Sequence, residues 1–249
     1  MRMEILDESE RIRYSRQISI KEFGEDGQRK LKNSHVVIAG VGGLGCASAS
    51  YLVAVGVGHV TLIDNDTVKL SNLNRQVLYR HKDIDSRKVD IATARLSLLN
   101  PYIEISPVFT AIEEDNVSEL IRGAGVVVDG LDNLKTRLLI NRACIEQNIP
   151  YIYGGVSGFR GMITTIIPGK TPCLACFSPG EIKGKGVFGA LPGIIANFQV
   201  LEAVKLITGH PPRLAGKLML FRGEDMSIRT YDIDKNPSCP VCSNVNRSF

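Results

Sequence analysis

Short, unbroken apolar runs mark the strands of this chain. His35-Val36-Val37-Ile38-Ala39, His59-Val60-Thr61-Leu62-Ile63 and Gly125-Val126-Val127-Val128-Asp129 each have the length of one strand and no polar face. That is the pattern of parallel strands covered on both sides. Between the first two, Cys46–Val55 is an alanine-rich helical segment that ends at Gly56 and Gly58. Ser9–Lys32 reads as an amphipathic N-terminal stretch, and Asn133–Gln147 as a helix after the third strand. Farther on, Tyr151–Ile167 and Lys217–Ile233 carry strand-like runs, the second hinged at Gly223-Glu224-Asp225. Ile194–Thr208 has helical spacing and is stopped by Pro211-Pro212. The glycine-rich segment 178–190 has no period and reads as a candidate mobile loop.

Strand, helix, strand in that order predict an α/β fold: a Rossmann-like, open, mainly parallel sheet flanked by helices, with a C-terminal mixed-strand extension. A chain of 249 residues can fill one such unit, so we expect a single domain over 1–249. Its parts are an N-terminal helical segment (1–34), a first half (35–150) and a second half (151–249).

Composition narrows the class. Apolar residues at 44% and charged residues at 22% are ordinary for a soluble globular protein. No window approaches 18 uninterrupted apolar residues, and the first 14 residues are charged rather than signal-like, so no membrane and a cytoplasmic location are expected. The net charge is only +4 and the basic residues are dispersed. A nucleic-acid partner is therefore not expected.

The first chemistry lies directly after the first strand. Gly40-Val41-Gly42-Gly43-Leu44-Gly45 is a G-x-G-x-x-G loop opening a helix, and Asp64 ends the next strand. Glycines Gly40, Gly42, Gly43 and Gly45 let the backbone approach a phosphate, the helix N-terminus offers unpaired N–H groups, and Asp64 can bind ribose hydroxyls. Alone, this fingerprint also fits an NAD- or FAD-dependent oxidoreductase. The polar residues beyond Asp64 do not serve hydride transfer: Asp66, then Asn72, Arg75 and Gln76, then Lys88. Arg75 and Lys88 can neutralise a triphosphate and the charge that grows during its displacement. Asp132, just past the third strand, stands where open parallel sheets bind ligands and can hold Mg²⁺. It can equally cap the helix behind it, or share both roles with Asp129 and Asn133.

The second chemistry is sulfur. Four of the six cysteines form two matched turns, Cys173-Leu174-Ala175-Cys176 and Cys239-Pro240-Val241-Cys242. Two such turns complete the four-thiolate shell of a closed, structural Zn²⁺ site with no position left for water. Cys46 and Cys144 fall in helical patterns and read as core.

Taken together these segments resemble the ThiF/MoeB/HesA family, relatives of ubiquitin-activating enzymes. The motifs that carry the resemblance are Arg13-Tyr14-Ser15-Arg16-Gln17, the glycine loop, Asp64-x-Asp66, Ser71-Asn72-Leu73-Asn74-Arg75-Gln76, Lys88, Asp129-x-x-Asp132-Asn133 and both cysteine turns. The resemblance implies an adenylyltransferase that uses ATP to activate the C-terminal Gly-Gly carboxylate of a small β-grasp, ubiquitin-like sulfur carrier protein. It implies that Asp64 binds ribose, that Asn72, Arg75 and Lys88 bind phosphates, and that Asp132 holds Mg²⁺. Residues 35–150 would bind nucleotide and 151–249 the carrier. Arg16 would reach the ATP of a partner subunit, so a homodimer is implied. Nearer alternatives are relatives that adenylate a peptide or a tRNA base. Where some relatives carry a further thiol, residues 177–188 hold no cysteine, which leaves adenylation without a covalent sulfur step.

Overall fold

The computed structural model describes residues 5–177 and 186–243. Much of the candidate loop at 178–190 therefore lies outside the described residues.

The N-terminal amphipathic stretch is three short helices, α1 (Glu8–Arg13), α2 (Ser15–Ile18) and α3 (Gly24–Lys32). The break after α1 falls at Tyr14, whose ring is buried and whose hydroxyl accepts from Asn100 Nδ2 at 2.8 Å. Burying that side chain fixes where the chain must turn.

Next come β1 (His35–Ala39), α4 (Gly43–Val55) and β2 (His59–Ile63), as the apolar runs predict. The helix starts three residues before Cys46, because the end of the glycine loop winds into its first turn. It closes on Gly56, whose φ of 94° is the left-handed geometry a helix stop requires. Two of the elements that escape the pattern reading come next: α5 (Lys88–Leu99) and β3 (Glu104–Val108). α5 buries only the stripe Val89, Ala92 and Leu96 among its apolar residues. β3 is an edge strand, half exposed, and contains Pro107, which is tolerated at an edge.

After α6 (Val117–Leu120) come β4 (Val126–Asp129), α7 (Leu134–Glu146), β5 (Tyr151–Ser157), β6 (Arg160–Ile166) and α8 (Leu174–Phe177). The chain continues with α9 (Leu191–Thr208), β7 (Lys217–Arg222) and β8 (Ser227–Asp232). α9 begins three residues earlier than its spacing suggests, with Pro192 in its first turn, where the missing N–H costs nothing. Its length and composition would suit a membrane span, yet half of it is buried against the protein.

One eight-stranded sheet has the order β3-β2-β1-β4-β5-β6-β7-β8, parallel from β3 to β5 and antiparallel beyond. This order explains the unbroken apolar runs. Val36 and Ile38 of β1 and Val126 and Val128 of β4 join a core with α4, α5 and α9, while Val37, Ala39 and Val127 join a second core with α7. Both faces of the central strands are buried, so neither can be polar.

Candidate active site

In this strand order the connections from β1 and β4 leave in opposite directions, and the crevice between the ends of those two strands is the usual ligand position of an open parallel sheet. Here the backbones touch. Gly40 has φ 89°, and a Cβ on it would lie 2.8 Å from the Gly130 carbonyl oxygen. A Cβ on Gly130 would meet the Gly40 oxygen at 2.1 Å. Only glycine permits this closure at either strand end.

A cleft of about 760 Å³ opens above it. Of the residues predicted from sequence, Gly40, Gly42, Gly43, Asp64, Asp66, Arg75, Gln76, Lys88 and Asp132 all line it. Three do not. Gly45 is turned against the loop, where a Cβ would stand 1.9 Å from the Gly40 oxygen, so its size serves packing. Asn72 spends its Oδ1 on the Lys69 N–H at 3.0 Å and is buried beside the cleft rather than in it. Arg16 is exposed on α2, away from the cleft lining of its own chain.

The glycine loop is clamped from behind. Asp64 Oδ2 accepts the Val41 N–H at 2.7 Å and Oδ1 accepts the Asp66 N–H at 2.8 Å, while the Tyr79 hydroxyl donates to the Val41 oxygen at 2.9 Å. With Val41 fixed at both its polar atoms, the loop presents Gly42 and Gly43 to the cleft. Among the described residues α4 has no side-chain cap on its first turn, so its N–H groups stay available to an anion. Burial pushes the Asp64 carboxyl above its ordinary range, opposed by Lys88, whose Nζ is 4.0 Å away.

The cations sit across from the loop. Lys88 is 4% exposed and is the first residue of α5, and its Nζ meets Asp66 at 2.8 Å. Burial and a helix N-terminus both disfavour a positive charge, so this lysine is held where folding alone would not put it. Arg75 is half buried, braced by the Ser71 carbonyl at 2.9 Å. Gln76 is 4% exposed, and its Oε1 has no hydrogen-bond partner among the described residues. A buried unpaired acceptor on a cleft wall can take a donor such as a hydroxyl.

Below Asp132 lies a network that sequence reading missed. Asp129 is fully buried; it takes Arg137 Nε at 2.9 Å, the Leu131 N–H at 2.9 Å and the Gly154 N–H at 3.3 Å. Arg137 also donates to the carbonyls of Leu131 and Gly154, at 2.5 and 2.8 Å. Gln199 of α9 donates to the Asp129 carbonyl at 2.9 Å. Asn133 caps α7 by accepting the Thr136 N–H at 2.9 Å. The roles left open among three residues thus separate: Asp129 is committed to the floor, Asn133 to the cap, and Asp132 stays exposed, in contact with Asn133 at 3.5 Å. Asp132 fits a hard divalent cation through its carboxylate oxygens. Tyr153, Leu131 and Thr110–Ile112 line the cleft without a sequence signal, and Arg137 lines it with them. For Arg137 one existed: it stands four residues after Asn133, on the face of α7 that leans back toward the cleft.

In the core beside α7 the two cysteine turns meet. Cys173 Sγ lies 3.7 Å from Cys239 Sγ and Cys176 Sγ 3.4 Å from Cys242 Sγ, with all four sulfurs within 4.8 Å of one another. Disulfides would need about 2.05 Å. A tetrahedral zinc with Zn–S near 2.3 Å separates sulfurs by about 3.8 Å, which these positions match. Cys46 and Cys144 are wholly buried, and burial pushes the Cys46 thiol up to about 12 and Cys144 higher still. Neither is a nucleophile in this structure.

Fold and cleft together are those of a nucleotide-binding α/β protein. The model of the ThiF family matches residues 14–241, and the chain belongs to that family. It is 39% identical over 245 residues to the SAMP-activating enzyme E1 of Haloferax volcanii, covering 95% of this chain and 90% of that protein. To the molybdopterin-synthase adenylyltransferase of Escherichia coli K12 it is 37% identical, covering 95% and 98%. Longer relatives named adenylyltransferase and sulfurtransferase MOCS3 are matched over about half their length, 56% for the Culex quinquefasciatus protein. Among solved structures, the microcin C7 biosynthetic enzyme MccB in complex with N-formylated MccA superposes with a TM-score of 0.85 at 25% identity, covering 96% of this chain and 77% of that one. With such relatives, the chain is an adenylyltransferase.

Proposed function

We propose that the chain is one adenylation domain that activates the C-terminal Gly-Gly carboxylate of a small β-grasp, ubiquitin-like sulfur carrier protein with ATP. The observation that carries this reading is the meeting, in one switch-point cleft, of an uncapped glycine-loop helix, two cations and an uncommitted acid. Gly42 and Gly43 with the α4 N-terminus, Arg75 and Lys88 hold the phosphates, Gln76 lines the same cleft, and Asp64 holds the ribose. Asp132 would hold Mg²⁺, which neutralises phosphate charge when bound.

The carrier carboxylate is ionised at neutral pH and needs no base. Its oxygen attacks the α-phosphorus, the bond to the oxygen bridging toward the β-phosphate breaks, and pyrophosphate leaves with that electron pair. The enzyme's work is to align the two reactants and to stabilise charge on the leaving group. Residues 35–150 serve the nucleotide and 151–249 the carrier. Arg16, exposed on α2, completes the site of a second subunit in a homodimer. The four cysteines hold structural zinc. The family membership and the named carrier-activating relatives support this assignment, and a cytoplasmic location accords with thiols kept for metal.

A second reading, adenylation of a peptide, is favoured by the structural likeness to MccB bound to MccA. ATP–pyrophosphate exchange separates the two. Exchange that depends on a Gly-Gly carrier supports the first reading; exchange with a peptide and none with any Gly-Gly carrier of the same genome would replace it.

A further inference from the structure

Asn141 stands in the middle of α7 with no exposed surface. Asparagine is a poor helix former, and a buried amide must place both of its ends. Its Oδ1 does so by accepting the Leu174 N–H at 2.8 Å. That bond also fixes the amide orientation, since the backbone N–H can only donate. Among the described residues the Nδ2 end is left without a hydrogen bond, and the Oδ1 bond to Leu174 holds it beside the first cysteine turn, one residue along from Cys173.

A zinc ion with four thiolates carries a net charge of about −2, and in a buried site that charge must be met by N–H donors around the sulfurs. The N–H groups of the cysteine turns themselves are the nearest backbone source of such donors. Cys173 is fully buried beside α7, where no water can add to that set. The unpaired Nδ2 is the side-chain donor in the right place.

We propose that Asn141 is a positioning residue of the four-cysteine zinc centre, donating from Nδ2 to the Cys173 thiolate while its Oδ1 holds the first cysteine turn against α7. This role rests on the zinc reading above. It ties the metal centre to the helix whose N-terminus lies just past Asp132, so one rigid element spans from the cleft to the zinc.

The test compares the full-length parent with Asn141→Asp and Asn141→Ala. The aspartate variant is isosteric and keeps the acceptor for Leu174, so it folds with the same turn, and once its carboxyl is ionised it cannot donate to sulfur. Zinc affinity is read by competition with a chromophoric chelator, and the cobalt-substituted proteins are read by their sulfur-to-metal charge-transfer band. Expected are a loss of about 10–100-fold in zinc affinity in both variants, no smaller for aspartate than for alanine, and a shifted cobalt band. Circular dichroism of the metal-free proteins should be alike. Parent-like affinity and spectrum in Asn141→Ala, or in Asn141→Asp at a pH high enough to ionise its carboxyl, would overturn the inference, leaving Asn141 a mere peg for Leu174. A parent that binds no stoichiometric zinc would overturn the zinc reading as well.

Discussion

The cleft and the four-cysteine cluster both gather residues far apart in sequence, but they treat charge in opposite ways. At the cluster the four sulfurs face one another, three of them buried, so every ligand position is filled from within the chain. At the cleft the charges are braced yet unfinished: Lys88 leans on Asp66, Gln76 Oε1 has no partner among the described residues, and Asp132 is exposed. A closed set of ligands makes structure, and an open one makes chemistry. Substitutions in each site should therefore fail in different ways.

The largest effect should come from the open site. Asp132→Ala and Arg75→Ala should each lower carrier-dependent ATP–pyrophosphate exchange by at least about 100-fold, the usual cost of losing one charge-stabilising group. Zinc content by atomic absorption should stay at the parent value. The closed site should answer in the reverse sense. Cys239→Ser should lose the zinc and lower the melting temperature on the order of 10 °C, since metal binding is folding energy here. Exchange per folded molecule, measured well below the melting temperature, should stay within a few-fold.

Smaller effects should come from the braces. Glu202 of α9 is buried and accepts from Thr165 Oγ1, from the N–H groups of Arg213 and Leu214, and from Lys205. Burial works to raise its carboxyl, but these donors hold it below the ordinary glutamate range. A depressed folded-state pKa gives stability that is present above the unfolded value, about 4.3, and is lost as pH falls through the folded one. Glu202→Ala should cost about 3 kcal/mol in urea unfolding at neutral pH, and Glu202→Gln should flatten the acid limb of stability against pH. Tyr79→Phe removes one hydrogen bond behind the glycine loop. It should cost about 1 kcal/mol and weaken ATP binding a few-fold by calorimetry.

How far these sites could be read in advance depended on how local their geometry is. Cys-x-x-Cys and the glycine loop are legible because spacing alone sets the backbone turn: Gly40 lines the cleft and Cys173 lies in the four-cysteine cluster. Asp129 and Arg137 are different. Their pairing depends on β4 lying beside β5, and no local pattern states a strand order. β3 and α5 were hidden for another reason: an edge strand with Pro107 and a helix with one narrow buried stripe carry weak periodicity. Asn72 and Gly45 belong to the motifs yet support the cleft from outside it, because a motif records neighbourhood and not which side of the backbone meets the ligand.

Carrier adenylation is tested most directly by the product of the cleft. The purified chain, ATP and Mg²⁺ are incubated with a candidate Gly-Gly carrier, and the carrier is read by intact mass. The predicted result is a carrier heavier by one adenylyl group, absent with Asp132→Ala and absent when the terminal Gly-Gly is removed. An unmodified carrier under conditions where the parent enzyme binds ATP, for every Gly-Gly carrier of the same genome, would contradict it.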